Sequence, residues 1–198
     1  MKETMLAQMP SLKMKIEVHC IYLTLILFFL SAFSRLNARS LNEIDLSAMR
    51  KEFYASVNDK EVAERFCKRL QGQYRSSPLL LAYYGSVQAV MAKHSWNPYR
   101  KLSFVKNGLR DLGAAVEKSP QSLEIRFLRF SIEHYLPSFL GLSNHLEEDS
   151  KKILTLIEKN DFGTADYELV KNMVGFLRKT SRFTAKELEI LNGALKNG

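Results

Sequence analysis

Residues 124–141, EIRFLRFSIEHYLPSFLG, place apolar side chains and two arginines so close together that neither a strand nor a helix with one apolar face accounts for them. On a helical wheel at 100° per residue, the apolar side chains here fall on two nearly opposite faces. These faces consist of Leu123, Phe127 and Phe130 on one side, and of Ile125, Leu128, Ile132 and Tyr135 on the other. The pattern predicts a helix over roughly residues 121–136 that is sandwiched between two neighbours and ended by Pro137.

Two polar strips remain between the apolar faces of this helix. Arg126 and Arg129 lie on one strip with Glu133, and Glu124 lies on the other. We expect Arg126 and Arg129 to be free of core packing and available to a partner. The alternative is a surface ion pair between Arg129 and Glu133, four residues apart.

Helix-start signals recur along the chain at even spacing. Ser77-Pro78, Asn97-Pro98 and Ser119-Pro120 each place a capping side chain before a proline, which suits the first helical position. Asn144 with Glu147 and Thr184 with Glu187 match the capping box, and Gly163-Thr164 opens a further helical pattern. Helices are therefore predicted to start near residues 78, 98, 120, 144, 165 and 185.

The fold class follows from these starts. Residues 45–57 and 59–71 have the pattern of two further helices, which brings the predicted total to about eight. Short turns between short helices make neighbours antiparallel, so an all-α array of helical hairpins is expected over a single domain, residues 39–198. The helix at 78–94 is apolar nearly all round, with Gly85 and Ala89 permitting close approach, and should be central.

The hairpin from Leu79 to Pro120 resembles a tetratricopeptide-type repeat. Its second helix places Gly108, Leu112, Ala115 and Pro120 at that family's small, large, small and proline positions, and Tyr84-Gly85 resembles its Leu-Gly pair. The distance from Pro78 to Pro120 is 42 residues, whereas the family period is about 34. The resemblance implies a repeat-like α-solenoid that binds a protein partner, and it implies no catalytic residue.

The N-terminus predicts export. Ile21–Phe33 is an uncharged apolar run of 13 residues, and Ala38 follows as a small residue suited to cleavage. Residues 1–38 are therefore predicted to be a signal peptide, with Met14 as an alternative start, and the mature chain to be periplasmic or secreted. An uncleaved membrane anchor formed by residues 21–33 is the alternative, and would be the chain's contact with a membrane.

Positive charge is concentrated in the middle of the sequence. The chain has a net charge of +8, and residues 60–130 contain 13 Lys or Arg against five Asp or Glu. We predict a basic partner-binding surface for a protein or an acidic peptide. Its candidate residues are Lys93, Trp96, Arg100, Lys101, Lys106, Arg110, Arg126 and Arg129. Ordinary solvated helix faces and binding to an anionic membrane or polymer are the alternatives, while export argues against nucleic acid.

Recognisable catalytic chemistry is missing from the sequence. It contains no HExxH, GxSxG, CxxC or glycine-rich phosphate loop, so no catalytic residue, metal site or cofactor is predicted. Cys67 fits a buried small hydrophobe, and the acids after His145 suit the positive end of a helix dipole. Trp96 and Tyr99 fit corner packing better than a ligand platform. A non-catalytic scaffold is the favoured function, and an enzyme or small-molecule binder with a site assembled from scattered residues is the alternative.

Overall fold

A computed structural model describes residues 45–195, which form eight α-helices and, over that range, no β-strand. The helices are α1 (Leu46–Ser56), α2 (Lys60–Gln71), α3 (Pro78–His94), α4 (Pro98–Lys118), α5 (Leu123–His134), α6 (Leu146–Glu158), α7 (Tyr167–Lys179) and α8 (Ala185–Gly193). Single turns of 3-10 helix lie at Tyr74–Ser76 and Ser138–Leu140. The all-α prediction is confirmed. The predicted signal peptide, the alternative start and the apolar run at 21–33 lie outside the described residues.

The chain divides into two units, Met1–Met49 and Arg50–Gly198. In the first unit the described residues are 45–49, where Asp45 Oδ1 accepts a hydrogen bond from the Ala48 N–H at 3.0 Å. The second unit contains the rest of α1 and the helices α2 to α8. The N-terminal edge of the predicted domain at residue 39 stays a prediction, because residues 39–44 are not described.

Three helix starts follow the predicted caps, those of α3, α4 and α8. The Ser77 hydroxyl accepts from the Leu80 N–H at 3.1 Å, and α3 begins at Pro78 as predicted. Asn97 Oδ1 accepts from the Tyr99 N–H at 2.9 Å, and α4 begins at Pro98. Thr184 and Glu187 form the reciprocal capping box of α8.

Three predicted starts, those of α5, α6 and α7, are displaced by two or three residues. Ser119 is the C-cap of α4 rather than the N-cap of α5, because its N–H bonds back to the Ala115 carbonyl. Ser122 takes over the N-cap of α5, which begins at Leu123. For α7 the cap is Asp166, which accepts from the Leu169 N–H at 2.8 Å, so the helix starts after the predicted Gly163-Thr164.

The hairpin of α3 and α4 is held at backbone contact by two glycines. A Cβ atom on Gly108 would lie 2.5 Å from the Gly85 carbonyl oxygen and 2.9 Å from the Ala89 nitrogen. Both obstacles are backbone atoms of α3, so only a residue without a side chain fits at this crossing. Helix α3 also packs against α2 and α5, which confirms the prediction that it is central.

Helix α5 is sandwiched as predicted. Its Leu123, Phe127 and Phe130 face enters the core formed with α6, α7 and α8. The opposite face is closed by α3 and α4, which also pack against α5, and there Ile125 and Leu128 are buried. The prediction for Tyr135 is wrong, because the helix ends at His134 and Tyr135 is exposed at its C-cap.

Candidate functional site

Arg126 and Arg129 are buried, contrary to the prediction that they lie on an unpacked strip of α5. They are 5% and 4% exposed, and both bind Asp149 of α6, which is fully buried. Arg129 Nε donates to Asp149 Oδ2 at 2.7 Å, and Arg126 Nη1 donates to Asp149 Oδ1 at 2.9 Å. Arg126 also pairs with the half-exposed Glu148. These arginines fix α6 against α5. The prediction that they belong to an exposed partner-binding surface is therefore wrong.

The protonation states agree with this ion cluster. Burial alone would lower the pKa of Arg129, but the hydrogen bonds that Arg129 donates to the Asp149 carboxylate, and the negative charge around it, raise that pKa above its ordinary value. The hydrogen bond from Arg126 holds the pKa of Glu148 below its usual range. Both groups therefore stay charged at neutral pH.

A second buried ion cluster lies on the other side of α5 and was not predicted. Arg50 of α1 binds the carboxylate of Glu124 through two hydrogen bonds, of 2.9 and 2.7 Å. The Tyr83 hydroxyl of α3 donates to Glu124 Oε1 at 2.5 Å, and Arg50 also reaches Asp166 at 3.1 Å. Burial, followed by the negative charge of Glu124, raises the pKa of Tyr83 well above its ordinary value. This cluster joins α1, α3 and α5, and its Arg50, Tyr83 and Glu124 side chains are buried, while Asp166 is half-exposed.

Glu133 caps the next helix instead of pairing with Arg129. Its buried carboxylate accepts from the backbone N–H of His145 at 2.8 Å and contacts His145 Nδ1 at 2.7 Å. Asn144 bonds back to the Gly141 carbonyl instead of capping α6. The predicted box of Asn144 and Glu147 is therefore wrong, because a carboxylate from α5 occupies that position.

The remaining predicted cations lie at the surface, with different surroundings. Lys93 Nζ donates to the Val57 carbonyl at 2.7 Å and so closes the C-terminal end of α1. The guanidinium of Arg100 lies over the Phe104 ring, 5.8 Å from its centroid. Lys101 and Lys106 are exposed and form no salt bridge within residues 45–195. Of the predicted surface, Arg126 and Arg129 are buried, while Lys93, Trp96, Arg100, Lys101, Lys106 and Arg110 are exposed.

Arg110 lines an open cleft of about 490 Å³ between α4 and the turn that precedes α3. The lining residues are Tyr74, Arg75, Leu81, Arg110, Asp111 and Lys118. We call this the basic cleft. Its one acid, Asp111, is held by Gln88 Nε2 at 2.7 Å and by Arg110 at 3.1 Å. Arg75 and Lys118 have no salt-bridge partner in the described part of the chain, so the cleft presents a net positive charge.

The basic cleft could not be found from periodicity. Arg75 comes from the 3-10 turn before α3, while Lys118 is the last residue of α4. The charge pattern does indicate a basic surface in this region, because the stretch from Arg65 to Arg110 contains nine Lys or Arg and no Asp or Glu. That stretch supplies the second half of α2, all of α3 and most of α4.

Trp96 and Tyr99 project from the corner between α3 and α4, contrary to the prediction of corner packing. Trp96 is 98% exposed and Tyr99 is 84% exposed. Arg100 and Lys101 follow them in the first turn of α4 and are exposed as well. We call Trp96, Tyr99, Arg100 and Lys101 the aromatic-basic tip.

Residues 45–195 contain no group of three or more His, Cys, Asp or Glu side chains arranged to hold a metal ion. Cys67 is half-buried, and burial raises the pKa of its thiol, which disfavours the reactive thiolate.

Among the described helices, none has the length and apolar content needed to cross a membrane.

Comparisons of the chain with protein-family models, with curated proteins and with solved structures gave no match.

Proposed function

We propose that this protein is a non-catalytic interaction protein that binds an acidic segment of a partner protein in the basic cleft. The observation that carries the proposal is the composition of the cleft. Arg75, Arg110 and Lys118 line it, and its single carboxylate, Asp111, is already engaged by Gln88 and Arg110. An incoming carboxylate would meet cations without a competing free acid.

The chemistry of the walls favours carboxylates on an extended polypeptide. Arginine guanidinium groups can hold a carboxylate through two parallel hydrogen bonds, and lysine supplies a point charge. Tyr74 stacks on Tyr84 with ring centroids 4.5 Å apart, and the guanidinium of Arg75 lies 5.3 Å from the Tyr74 centroid. These stacked rings hold Arg75 in place and offer an apolar surface to the aliphatic part of an acidic side chain.

The expected affinity is modest and depends on salt. Exposed ion pairs contribute about 0.2–1 kcal/mol each, so three cations supply at most about 3 kcal/mol. A dissociation constant of 1 μM requires about 8 kcal/mol, so apolar and backbone contacts must supply the rest. The partner should therefore be a segment of several residues rather than a free amino acid.

The helical architecture supports the same function. We propose that the hairpin of α3 and α4 is of tetratricopeptide type, since Gly85 and Gly108 meet where that family has small residues. Stacked helical hairpins commonly present extended surfaces to protein partners. We further propose that the protein acts outside the cytoplasm, on the basis of the apolar run Ile21–Phe33. Mass spectrometry of the N-terminus of the protein isolated from its cell tests export, and an intact residue 1–38 segment in a soluble cytoplasmic product would contradict it.

The binding proposal is tested with a labelled ten-residue peptide rich in Glu and Asp. Its binding is measured by fluorescence anisotropy at low and at physiological salt. The variant Arg75→Glu/Lys118→Glu should weaken binding tenfold or more, which corresponds to about 1.4 kcal/mol. Helicity and melting temperature should stay near those of the wild type, because both side chains are exposed.

The matched control is Lys179→Glu/Lys186→Glu, which changes the net charge by the same amount on α7 and α8. It should bind the peptide nearly as well as the wild type does. Equal loss in both variants would reduce the effect to overall charge, and full binding by the cleft variant would contradict the proposal.

A further inference from the structure

We propose that the aromatic-basic tip is a second binding surface, which inserts Trp96 and Tyr99 into the headgroup region of an anionic lipid bilayer. This surface is distinct from the basic cleft, and its ligand is a lipid surface rather than a peptide. It needs no contribution from the N-terminal residues.

The exposure of the two aromatic rings is the first observation. Trp96 is 98% exposed and Tyr99 is 84% exposed at the corner of the α3 and α4 hairpin. Single exposed apolar residues are normal at a protein surface, whereas neighbouring ones that form a patch mark an interaction site with a protein or a membrane. Tryptophan and tyrosine are the residues enriched at membrane–water interfaces, since each has an apolar ring and a polar group.

The charge around the rings is the second observation. Arg100 and Lys101 are exposed beside them, and neither forms a salt bridge within residues 45–195. The nearest acid in the sequence after Trp96 is Asp111, which is buried against Gln88. No carboxylate of α3 or of the first three turns of α4 would therefore repel an anionic surface.

The exposure of the tip disfavours binding of a peptide in a groove on this chain. A protein partner usually seats an aromatic anchor in a pocket of matching shape, or offers a ring that enters a groove on this chain. A side chain that is 98% exposed has no walls around it, so Trp96 cannot be part of such a groove. A planar, deformable interface can receive a projecting ring without a preformed pocket.

Trp96 is the single tryptophan of the chain, so its fluorescence reports on this tip alone. The purified full chain is mixed with vesicles of phosphatidylcholine containing phosphatidylglycerol, and with vesicles of phosphatidylcholine only. With the anionic vesicles the Trp96 emission should shift to shorter wavelength and be quenched by brominated lipid. High salt should weaken the effect, because the attraction to the surface is screened.

The variant Arg100→Glu/Lys101→Glu should lower partitioning onto anionic vesicles about tenfold or more, since each basic residue near such a surface adds to binding. Lys179→Glu/Lys186→Glu is the matched control and should partition like the wild type. The cleft variant Arg75→Glu/Lys118→Glu should keep the emission shift, which separates this inference from the proposed function.

Two results would overturn the inference. One is an unshifted Trp96 emission in a chain that sediments with anionic vesicles, because another segment would then make the contact. The other is an emission shift that an acidic peptide produces and vesicles do not, which would assign the tip to a protein partner.

Discussion

Replacing Asp149 by alanine should destabilise the fold more than any single exposed charge can. Asp149 is fully buried and accepts three hydrogen bonds, of 2.7, 2.8 and 2.9 Å, from Arg126 and Arg129. The substitution leaves two buried guanidinium groups with the half-exposed Glu148 as their remaining carboxylate. Removing one partner from a buried ion cluster costs about 3–5 kcal/mol. For a chain of this size that loss lowers the melting temperature by about 6–20 °C.

The assay is denaturant and thermal unfolding followed by circular dichroism at neutral pH. Lys171→Met is the control, because Lys171 pairs with Glu168 at 3.5 Å on an exposed surface of α7. Its loss should stay below about 1 kcal/mol. If Asp149→Ala cost no more than this control, Asp149 would be solvated, and Arg126 would be available to a partner as the sequence suggested.

A triple variant separates packing from charge. Arg126→Met/Arg129→Met/Asp149→Leu removes the ions together and keeps comparable volume. Apolar replacement of a whole buried ion cluster is often neutral or stabilising, so this variant should recover most of the stability lost in Asp149→Ala. A triple variant as unstable as the single one would indicate that the shape of the site, rather than the unpaired charge, sets the loss.

Three further outcomes are expected. Gly108→Ala should lower the free energy of unfolding by about 1–3 kcal/mol or more, because its Cβ would meet the backbone of the facing helix. Gly113→Ala, where a Cβ would have nothing within 4 Å, should raise it by about 0.5–1 kcal/mol. Equal effects of the two substitutions in unfolding experiments would disprove the close crossing. Phe127→Ala should cost about 3–5 kcal/mol, since the ring is buried, and a loss under about 1 kcal/mol would count against the sandwiched helix. The raised pKa of Tyr83 predicts that stability is intact below its ordinary value of 10.0 and falls as pH rises above it; Tyr83→Phe should flatten that alkaline decline, and an unchanged pH profile would contradict its cause.

The number of the helices and their approximate positions were predictable from the sequence because their signals are local. Ser77, Asn97 and Thr184 each cap a helix through a hydrogen bond that spans two or three residues. The two apolar faces of α5 follow from periodicity within a dozen residues. Signals of this range depend little on the rest of the fold.

The fate of the charged residues was not predictable, because it depends on which helix packs opposite them. Asp149 reads as one of three acids suited to a helix N-terminus, and only the packing of α6 on α5 brings it to Arg126 and Arg129. The basic cleft likewise joins Arg75, from the turn before α3, with Lys118, the last residue of α4 and 43 positions later in the sequence. No spacing along the sequence relates these pairs.

Helix α5 has a consequence for the way the chain unfolds. One side of it contributes Glu124 to the cluster with Arg50, and the other contributes Arg129 to the cluster with Asp149. In an array of helical hairpins each repeat contacts mainly its neighbours, and one end can open while the other stays folded. If the helices on one side of α5 unfolded, the charged side chain that α5 contributes to the ion cluster on that side would lose its partner while α5 stayed folded. The helices on the two sides of α5 are therefore expected to unfold as one cooperative unit. Amide hydrogen exchange should give similar opening free energies for both sides.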